Sequence, residues 1–356
     1  MRPSIGPRLL LAFGAIALLA LVPLLVKSPY ALHLFILVFS TVALGSAWNV
    51  IGGYGGQYSV GHAAWFGVGA YSAMILLHDK HIPPWFGVWP GVAIAMVAAV
   101  IVGSITFRLR GPYFVLASIA VAEIFRLAAL NWKTMTNGAE GILSGDTPPF
   151  DLGPIHIEFN GKVPYYYMGL FLAAAALFAG DLVRRSRLGY QLQAIREDQD
   201  AAHSLGIAPT RTKNLGLVIS AGFTALVGAF TANYTAFVDP QSVLGIDVSI
   251  QIVLVCIIGG VGTVLGPLVG AVVLVLLSEA LRSNLIASVF FAAGLPRDSP
   301  MGSFMGNNLA HAHVLVYGIL VVLVILFMPD GVMGFFRNLA ARKRATAAAA
   351  ATPEPR

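Results

Sequence analysis

A Gly-rich break interrupts the apolar sequence at residues 52–62, which read GGYGGQYSVGH. A second break occupies residues 259–267 and reads GGVGTVLGP. Irregular backbone at membrane depth leaves N–H and C=O groups unpaired, so it persists only where protein or a water-filled cavity surrounds it. One interrupted segment in each half of a polytopic chain is typical of a transport pathway. The two breaks therefore predict a path for a solute through a bundle of helices.

The composition is that of a membrane protein. Of the 356 residues, 57% are hydrophobic and 11% are charged, with a mean hydropathy of +0.80, whereas a soluble domain carries about 25% charged residues. The single cysteine, Cys256, excludes an intramolecular disulfide. The sequence contains no GxxxxGK[ST], HExxH or GxSxG motif, so we expect neither enzyme activity nor a cofactor bound by this chain. His311 and His313 stand apart from carboxylates, so we expect no metal site.

A helix that crosses a bilayer needs about 20 apolar residues. The short spans beside the Gly-rich breaks fit half-helices or re-entrant segments. No small-residue cleavage site follows the first apolar stretch, so we expect a retained span rather than a signal peptide. The ten candidate spans are residues 9–26, 30–51, 62–78, 90–107, 113–130, 165–183, 216–237, 248–262, 266–281 and 313–329.

The positive charges orient these spans. Ten crossings put both termini on one side, which then carries most of the 22 Lys and Arg residues, including those of the basic loop 184–215. Positive residues favour the cytoplasm, so we expect cytoplasmic termini, contact with membrane lipid and no nucleic-acid partner. The opposite side has two long loops, 131–164 and 282–312. The predicted organisation is a first span within 1–29, a transmembrane domain at 30–335 and a disordered tail at 336–356.

The basic loop contains an apolar stripe at helical spacing. Asp198 is suited to cap the start of a helix, and Gly206 is suited to end one. The pattern predicts a short amphipathic helix that either lies on anionic lipid or docks a partner. The stripe consists of Leu192, Ile195, Ala202 and Leu205.

The same loop carries a family resemblance. Residues 200–206, DAAHSLG, resemble the EAA-type signature of ABC importer permeases, with Asp200 in the place of Glu. The preceding residues 188–198 resemble the LivM-type branched-chain amino acid permeases, and the likeness covers about residues 30–335. It implies an all-α permease bundle with a cytoplasmic coupling helix. The other matching stretches are residues 49–71, 108–131, 259–271 and 328–331.

The resemblance also implies partners and a substrate. It describes a permease subunit of the bacterial inner membrane that forms a heterodimer with a homologous permease. Two cytoplasmic ATPase subunits would hydrolyse ATP, and a periplasmic binding protein would deliver branched-chain amino acids. Urea or short amides are alternative substrates. A self-sufficient ion-coupled carrier is the alternative mechanism; it needs ionisable groups at mid-membrane, for which Glu123 and Arg126 are the clear candidates.

Two sets of residues follow as candidates. Glu123 and Arg126, three residues apart, either neutralise each other or contact a zwitterionic substrate. His62 either lines the path or caps the helix that begins there, and protonation-coupled transport is a third option. The coupling residues would be Asp198, Asp200, Ala201, Ala202, Leu205 and Gly206. The path residues would be Gly53, Gly56, Gln57, Ser59, His62, Glu123, Gly260 and Gly262.

Overall fold

Helices dominate the structure. The computed structural model describes residues 5–144, 148, 150–152, 155–157, 159, 161–282, 318, 319, 322, 326 and 331–334. The helices are α1 (Ile5–Leu25), α2 (Pro29–Trp48), α3 (His62–Lys80), α4 (Pro84–Thr106), α5 (Pro112–Asn131), α6 (Lys133–Thr136), α7 (Val163–Arg185), α8 (Arg187–Glu197), α9 (Gln199–Ser204), α10 (Pro209–Thr235), α11 (Pro240–Leu244), α12 (Ile246–Gly259) and α13 (Gly266–Arg282). The strands are β1 (Ile142–Leu143), β2 (Phe150–Leu152), β3 (Ile155–Ile157) and β4 (Phe237–Val238).

The described part of the chain makes this a multi-pass membrane protein. Helix α3 and the shorter apolar helices Gly14–Leu25 and Gly266–Ala280 coincide with further predicted spans. The predicted span 313–329 lies largely outside the described residues, so the count of ten stays a prediction. Within the described residues, six helices are long and apolar enough to cross a membrane: Pro29–Tyr54, Pro84–Thr106, Pro112–Asn131, Val163–Arg185, Pro209–Thr235 and Pro240–Gly259.

Helix ends explain where the predicted spans were misplaced. Helix α10 begins at Pro209, seven residues before the predicted span at 216. Proline is pre-organised for the first turn of a helix, and the polar residues that follow it form helical turns before the apolar part begins. Helix α2 begins conventionally, with Pro29 in its first turn and the Ser28 hydroxyl accepting from the Ala31 N–H at 3.5 Å. Apolar length therefore locates a span but not the first turn of its helix.

The chain divides into two compact units, Met1–Val253 and Leu254–Arg356. In the first unit, α3 and α10 pack backbone to backbone at the centre of the bundle. A Cβ on Gly69 would overlap the carbonyl group of Ala225, and a Cβ on Gly228 would overlap that of Phe66. Small residues allow this close approach between membrane helices. Helix α4 packs on both central helices, and α2 packs on α7 and α10.

The predicted polar loop 131–164 has structure of its own. It contains α6, a 3₁₀ turn at Gly138–Glu140 and the strands β1, β2 and β3. Strand β1 pairs antiparallel with β4, so that Ile142 lies opposite Val238. This pairing ties the loop to the end of α10. The chain is mostly helical, as expected, and this loop adds strands of two or three residues that the sequence did not predict.

The second Gly-rich break is a tight turn in the second unit. A Cβ on Gly259 would overlap the carbonyl group of Gly266, and a Cβ on Gly270 would overlap that of Val255. Gly260 turns the chain with φ +116°, and the Thr263 hydroxyl donates to its carbonyl oxygen at 2.8 Å. Close backbone packing thus accounts for these glycines, since no larger residue fits between the end of α12 and the start of α13.

Candidate functional site: the first break and the 187–204 helix pair

The first break is ordered by the end of the helix that precedes it. After α2 the backbone widens into a π-helix over Asn49–Tyr54, a conformation frequent at functional sites. The buried Trp48 indole donates to the Ser59 carbonyl oxygen at 2.7 Å. The Gln57 N–H donates to the Ile51 carbonyl oxygen at 3.1 Å. Two backbone groups of the irregular segment, the Ser59 carbonyl and the Gln57 N–H, are therefore bonded to the end of the preceding helix.

Hydroxyl groups from three other helices complete the break. Ser118 Oγ on α5 accepts from the Val60 N–H at 2.9 Å. Ser249 Oγ on α12 accepts from the Ala63 N–H at 2.9 Å, and so caps the start of α3. His62 does not cap that helix: its Nε2 lies 2.7 Å from the Ser220 Oγ on α10. Its fully buried ring joins α3 to α10.

A further interruption, which the sequence reasoning missed, brings Ser249 to this place. The span 240–259 is divided at Gly245, whose backbone is extended (φ −62°, ψ 148°) between α11 and α12. Leu244 packs so closely on α3 that a Cβ on Gly67 would overlap its side chain. Two interruptions, both within the first unit, therefore meet at the start of α3. The single glycine in residues 243–247, VLGID, did not predict this interruption, because isolated glycines are common in membrane helices.

A groove opens beside the break. Its volume is about 520 Å³. Its walls are residues 56–58, Gly111 and four residues at the start of α5, namely Pro112, Phe114, Val115 and Leu116. Two predicted path residues, Gly56 and Gln57, line it. Gly53, Ser59 and His62 are buried in the protein. The structure thus brings five of the predicted path residues to one break but exposes two of them to the groove.

Glu123 and Arg126 satisfy each other. The arginine donates through Nε and Nη2 to the two carboxylate oxygens at 2.9 and 2.6 Å. Its Nη1 also donates to Gln241 Oε1 on α11 at 3.3 Å. This geometry is that of the first alternative, in which the two charges neutralise each other.

The basic loop folds into two helices, α8 and α9, which we call the helix pair. Asp198 divides them with extended backbone (φ −153°, ψ 115°), and its carboxylate accepts from the N–H groups of Asp200 and Ala201 at 2.8 and 2.9 Å. These bonds hold the pKa of Asp198 below its usual range. Gly206 follows α9 with φ +85°. The predicted helix start and stop are present, but the separate helix α8 was missed.

Helix α8 packs directly on the first break. Its buried Leu192 lies in an apolar cluster with Val50 and Tyr54. One turn later, Arg196 Nη1 donates to the Gly53 carbonyl oxygen at 2.8 Å. Sequence reasoning missed this role because a loop arginine contributes to the positive-inside count whatever else it does.

Two more tethers hold α9. The Asp200 carboxylate accepts two hydrogen bonds from Arg110, in the turn between α4 and α5, both at 3.0 Å. Gln199 Oε1 accepts from the buried Lys213 Nζ at 2.6 Å. Ala202 faces inward, whereas Leu205 is 83% exposed. The apolar stripe therefore points inward over most of its length and leaves one leucine uncovered at its end.

The remaining predicted path residues belong to the second unit. Gly260 and Gly262 have φ values of +116° and +78° and form the turn after α12. Among the residues that the structure describes, no group of three His, Cys, Asp or Glu side chains is placed to hold a metal ion. His311 and His313 lie outside the described residues.

Comparisons with known proteins point to one family. The profile of the branched-chain amino acid transport system / permease component family matches residues 29–327. The high-affinity branched-chain amino acid transport system permease proteins LivM of Salmonella typhimurium and Escherichia coli K12 are each 27% identical over 273 residues, 71% of this chain. The chain spans 64% of the length of those two relatives. The permease protein LivH of E. coli K12 is 23% identical over 318 residues, 83% of this chain and 94% of LivH. No solved structure matches the chain significantly.

Proposed function

The chain belongs to the branched-chain amino acid transport system permease family, and we propose that it forms the membrane path of an ATP-driven importer of branched-chain amino acids. As a member, it is a multi-pass transport protein rather than an enzyme. The names of its LivM and LivH relatives support the substrate class. Urea or short amides are the alternative cargo.

The proposed assembly contains this chain and a homologous permease as a heterodimer. Both LivM and LivH match this chain, and both are named as permease proteins of a branched-chain amino acid transport system, which supports pairing between two related permeases. Two ATPase subunits on the cytoplasmic side and a periplasmic binding protein complete the importer. We place the chain in the bacterial inner membrane with both termini in the cytoplasm, because the basic loop 184–215 then faces the cytoplasm.

One observation carries the role as a coupled permease: the helix pair has one face on the break and ends beside an uncovered leucine. Leu192 and Arg196 contact residues 50–54, while Leu205 is 83% exposed beyond the end of α9. An exposed leucine beside a left-handed glycine can enter an apolar socket on another protein, where its burial would contribute about 1.5–3 kcal/mol. We propose that the ATPase supplies this socket, that Asp198, Asp200, Ala201 and Gly206 shape the surface presented to it, and that the buried Ala202 packs α9 against the rest of the chain.

The proposed path runs along the first break. The groove beside Gly56 and Gln57 supports this, as do the buried polar groups of Ser59 and His62 where two interrupted spans meet. Gly260 and Gly262 have positive φ values in the turn after α12, which explains these glycines within their own unit and makes them the weaker path candidates. Glu123 contributes less to a substrate site than to the ion pair with Arg126.

Reconstitution tests this proposal. Liposomes containing this chain, its partner permease and the ATPase subunits should take up labelled leucine with the binding protein and ATP present, and valine and isoleucine should compete. Competition by urea instead would establish the alternative cargo. Uptake by the chain alone, driven by an ion gradient, would contradict the proposal and establish a secondary carrier.

A matched pair of substitutions tests the docking surface. Leu205→Asp places a charge in the proposed apolar socket and should abolish both ATPase capture and uptake. Leu143→Asp, at a leucine that is 70% exposed in β1, is the control and should leave both unchanged. Normal capture and uptake with Leu205→Asp would show that the 198–206 segment is only a surface helix.

A further inference from the structure

The C-terminal end of the first broken span is completed by a distant side chain. The last carbonyl groups of a helix have no partner within the helix, and the end of the helix carries partial negative charge. Arg196 Nη1 donates to one of these carbonyl oxygens, that of Gly53, at 2.8 Å and across 143 residues of sequence. A hydrogen bond from a guanidinium is stronger than one between neutral groups. The helix pair therefore supplies the cap of this π-helical end.

The aliphatic part of the same arginine also fixes the break. A Cβ built on Gly56 would lie 2.8 Å from Arg196 Cγ, and Gly56 has φ +65°. A Cβ on the neighbouring Gly55 would lie 3.2 Å from Leu192 Cδ2. The two side chains, one turn apart on α8, thus hold consecutive glycines. Any shift of α8 must either carry the break with it or break these contacts.

The opposite end of the helix pair is the exposed one. Beyond Asp198, α9 is tethered to Arg110 and Lys213 and ends next to the uncovered Leu205. Arg196 is the last residue but one of α8, so it lies between that end and the break. We infer that Arg196 is the positioning residue through which displacement of the helix pair is passed to residues 53–56 of the path. This inference rests on the proposed function of the chain as an ATP-driven permease.

The test compares three single variants of the full chain. Arg196→Met keeps a stem but removes the guanidinium, and Arg196→Lys keeps a cationic donor. Arg187→Met is the matched control, because Arg187 is an exposed arginine at the start of the same helix. Amide hydrogen exchange over residues 49–58 of the purified chain reports the cap. Leucine uptake per ATP hydrolysed, and ATPase capture, in the reconstituted importer report the coupling.

We expect Arg196→Met to speed exchange over residues 49–58 by about tenfold, the effect of losing one charged hydrogen bond. Uptake per ATP should fall by a similar factor while ATPase capture stays normal. Arg196→Lys should recover part of both losses, and Arg187→Met should change neither. Faster exchange in Arg196→Met with unchanged uptake per ATP would overturn the inference, because the cap would then be merely structural.

Two other outcomes are distinguishable. Loss of ATPase capture with Arg196→Met would overturn the inference in favour of a docking contact. Absence of ATPase-dependent uptake by the unaltered chain would refute the proposed function and the inference built on it. The exchange measurement would then still show whether Arg196 caps the π-helical end.

Discussion

Ser249 Oγ accepts the hydrogen bond of the Ala63 N–H at 2.9 Å, so a residue of one span caps the helix of another. The residue before His62 is Gly61, which has no side chain to serve as the cap. An N–H group left alone inside a membrane protein is costly. The interruption at Gly245 has a structural use here, since it precedes the turn of α12 that delivers the missing acceptor.

Removing this cap should destabilise the protein. Ser249→Ala leaves the Ala63 N–H buried without an acceptor, which costs about 1–3 kcal/mol. Ser104→Ala is the control, because that hydroxyl bonds to its own helix on an exposed face. Thermal unfolding in detergent, followed by circular dichroism, should show a lower midpoint for Ser249→Ala only. Equal midpoints for both variants would mean that another group replaces the cap.

The turn between α12 and α13 should not tolerate a methyl group. In Gly270→Ala the new Cβ would overlap the carbonyl group of Val255, which is backbone and cannot move aside. Overpacking of this kind costs about 1–3 kcal/mol or more. Gly14→Ala makes the same substitution where nothing lies within 4 Å, and alanine there should stabilise α1 by about 0.5–1 kcal/mol. Purified yield and unfolding midpoint should move in opposite directions for the two variants.

The start of α9 should depend on pH through Asp198. Backbone hydrogen bonds lower the pKa of Asp198 in the folded chain. The carboxylate therefore stabilises the helix above its unfolded pKa, and the contribution is lost as the pH falls through the lowered folded pKa. Amide exchange at residues 200–204, corrected for its intrinsic pH dependence, should show α9 opening in acid.

Two variants separate the cap from its charge. Asp198→Asn keeps a good N-cap without a titrating group, so α9 should stay protected across the acid range. Asp198→Ala should leave α9 open at every pH. Identical pH profiles for Asn and Asp at this position would show that another group controls the helix.

Backbone conformation, rather than contact with neighbouring residues of this chain, should decide which residues can replace Gly206. It has φ +85°, and a Cβ there would meet nothing within 4 Å. Left-handed backbone costs an L-residue roughly 1–2 kcal/mol, and a β-branched residue pays at least this much. Asparagine adopts this conformation at a lower cost. Gly206→Asn should thus keep leucine uptake, and Gly206→Val should lose it while the protein still inserts. Equal loss in both variants would instead indicate that a partner packs against the Gly206 Cα.

The orientation of the bundle can be read by labelling. In a Cys256→Ala background, Glu140→Cys and Ala201→Cys place thiols on exposed residues in the 131–164 loop and in α9. A membrane-impermeant maleimide should label residue 140 in intact spheroplasts and residue 201 only after permeabilisation. Labelling of residue 201 from the periplasm would reverse the proposed topology, as would periplasmic labelling of the further variants Gln199→Cys or Ala340→Cys.

The sequence was sufficient to locate features that depend on local chemistry. Asp198 begins a helix, Gly206 ends it in the left-handed conformation, and Glu123 binds Arg126. Each depends on residues a few positions apart, whose spacing is visible in the sequence. The helical membrane bundle follows for the same reason, because span length and apolar content are local properties.

Long-range contacts were not visible in the same way. Arg196 and Gly53 are 143 residues apart, and Ala63 and Ser249 are 186 residues apart. An arginine or a serine in a sequence does not reveal which backbone group its side chain will bind in the folded protein. The two Gly-rich breaks also looked alike as sequence. Their packing distinguishes them. The first break lies beside a groove, whereas at the second break the backbones of α12 and α13 are in direct contact.

The π-helical segment 49–54 has a consequence for how the chain can change in length. A π-helical turn contains an additional residue relative to an α-helical turn. Deleting one residue there can convert the segment to regular α-helix. Residues 29–48 would then keep the same side chains turned towards the neighbouring helices. A deletion in the middle of α2 would instead rotate one part of the helix by about 100° relative to the other. Among descendants of this gene, single-codon losses in the first broken span should therefore accumulate at 49–54.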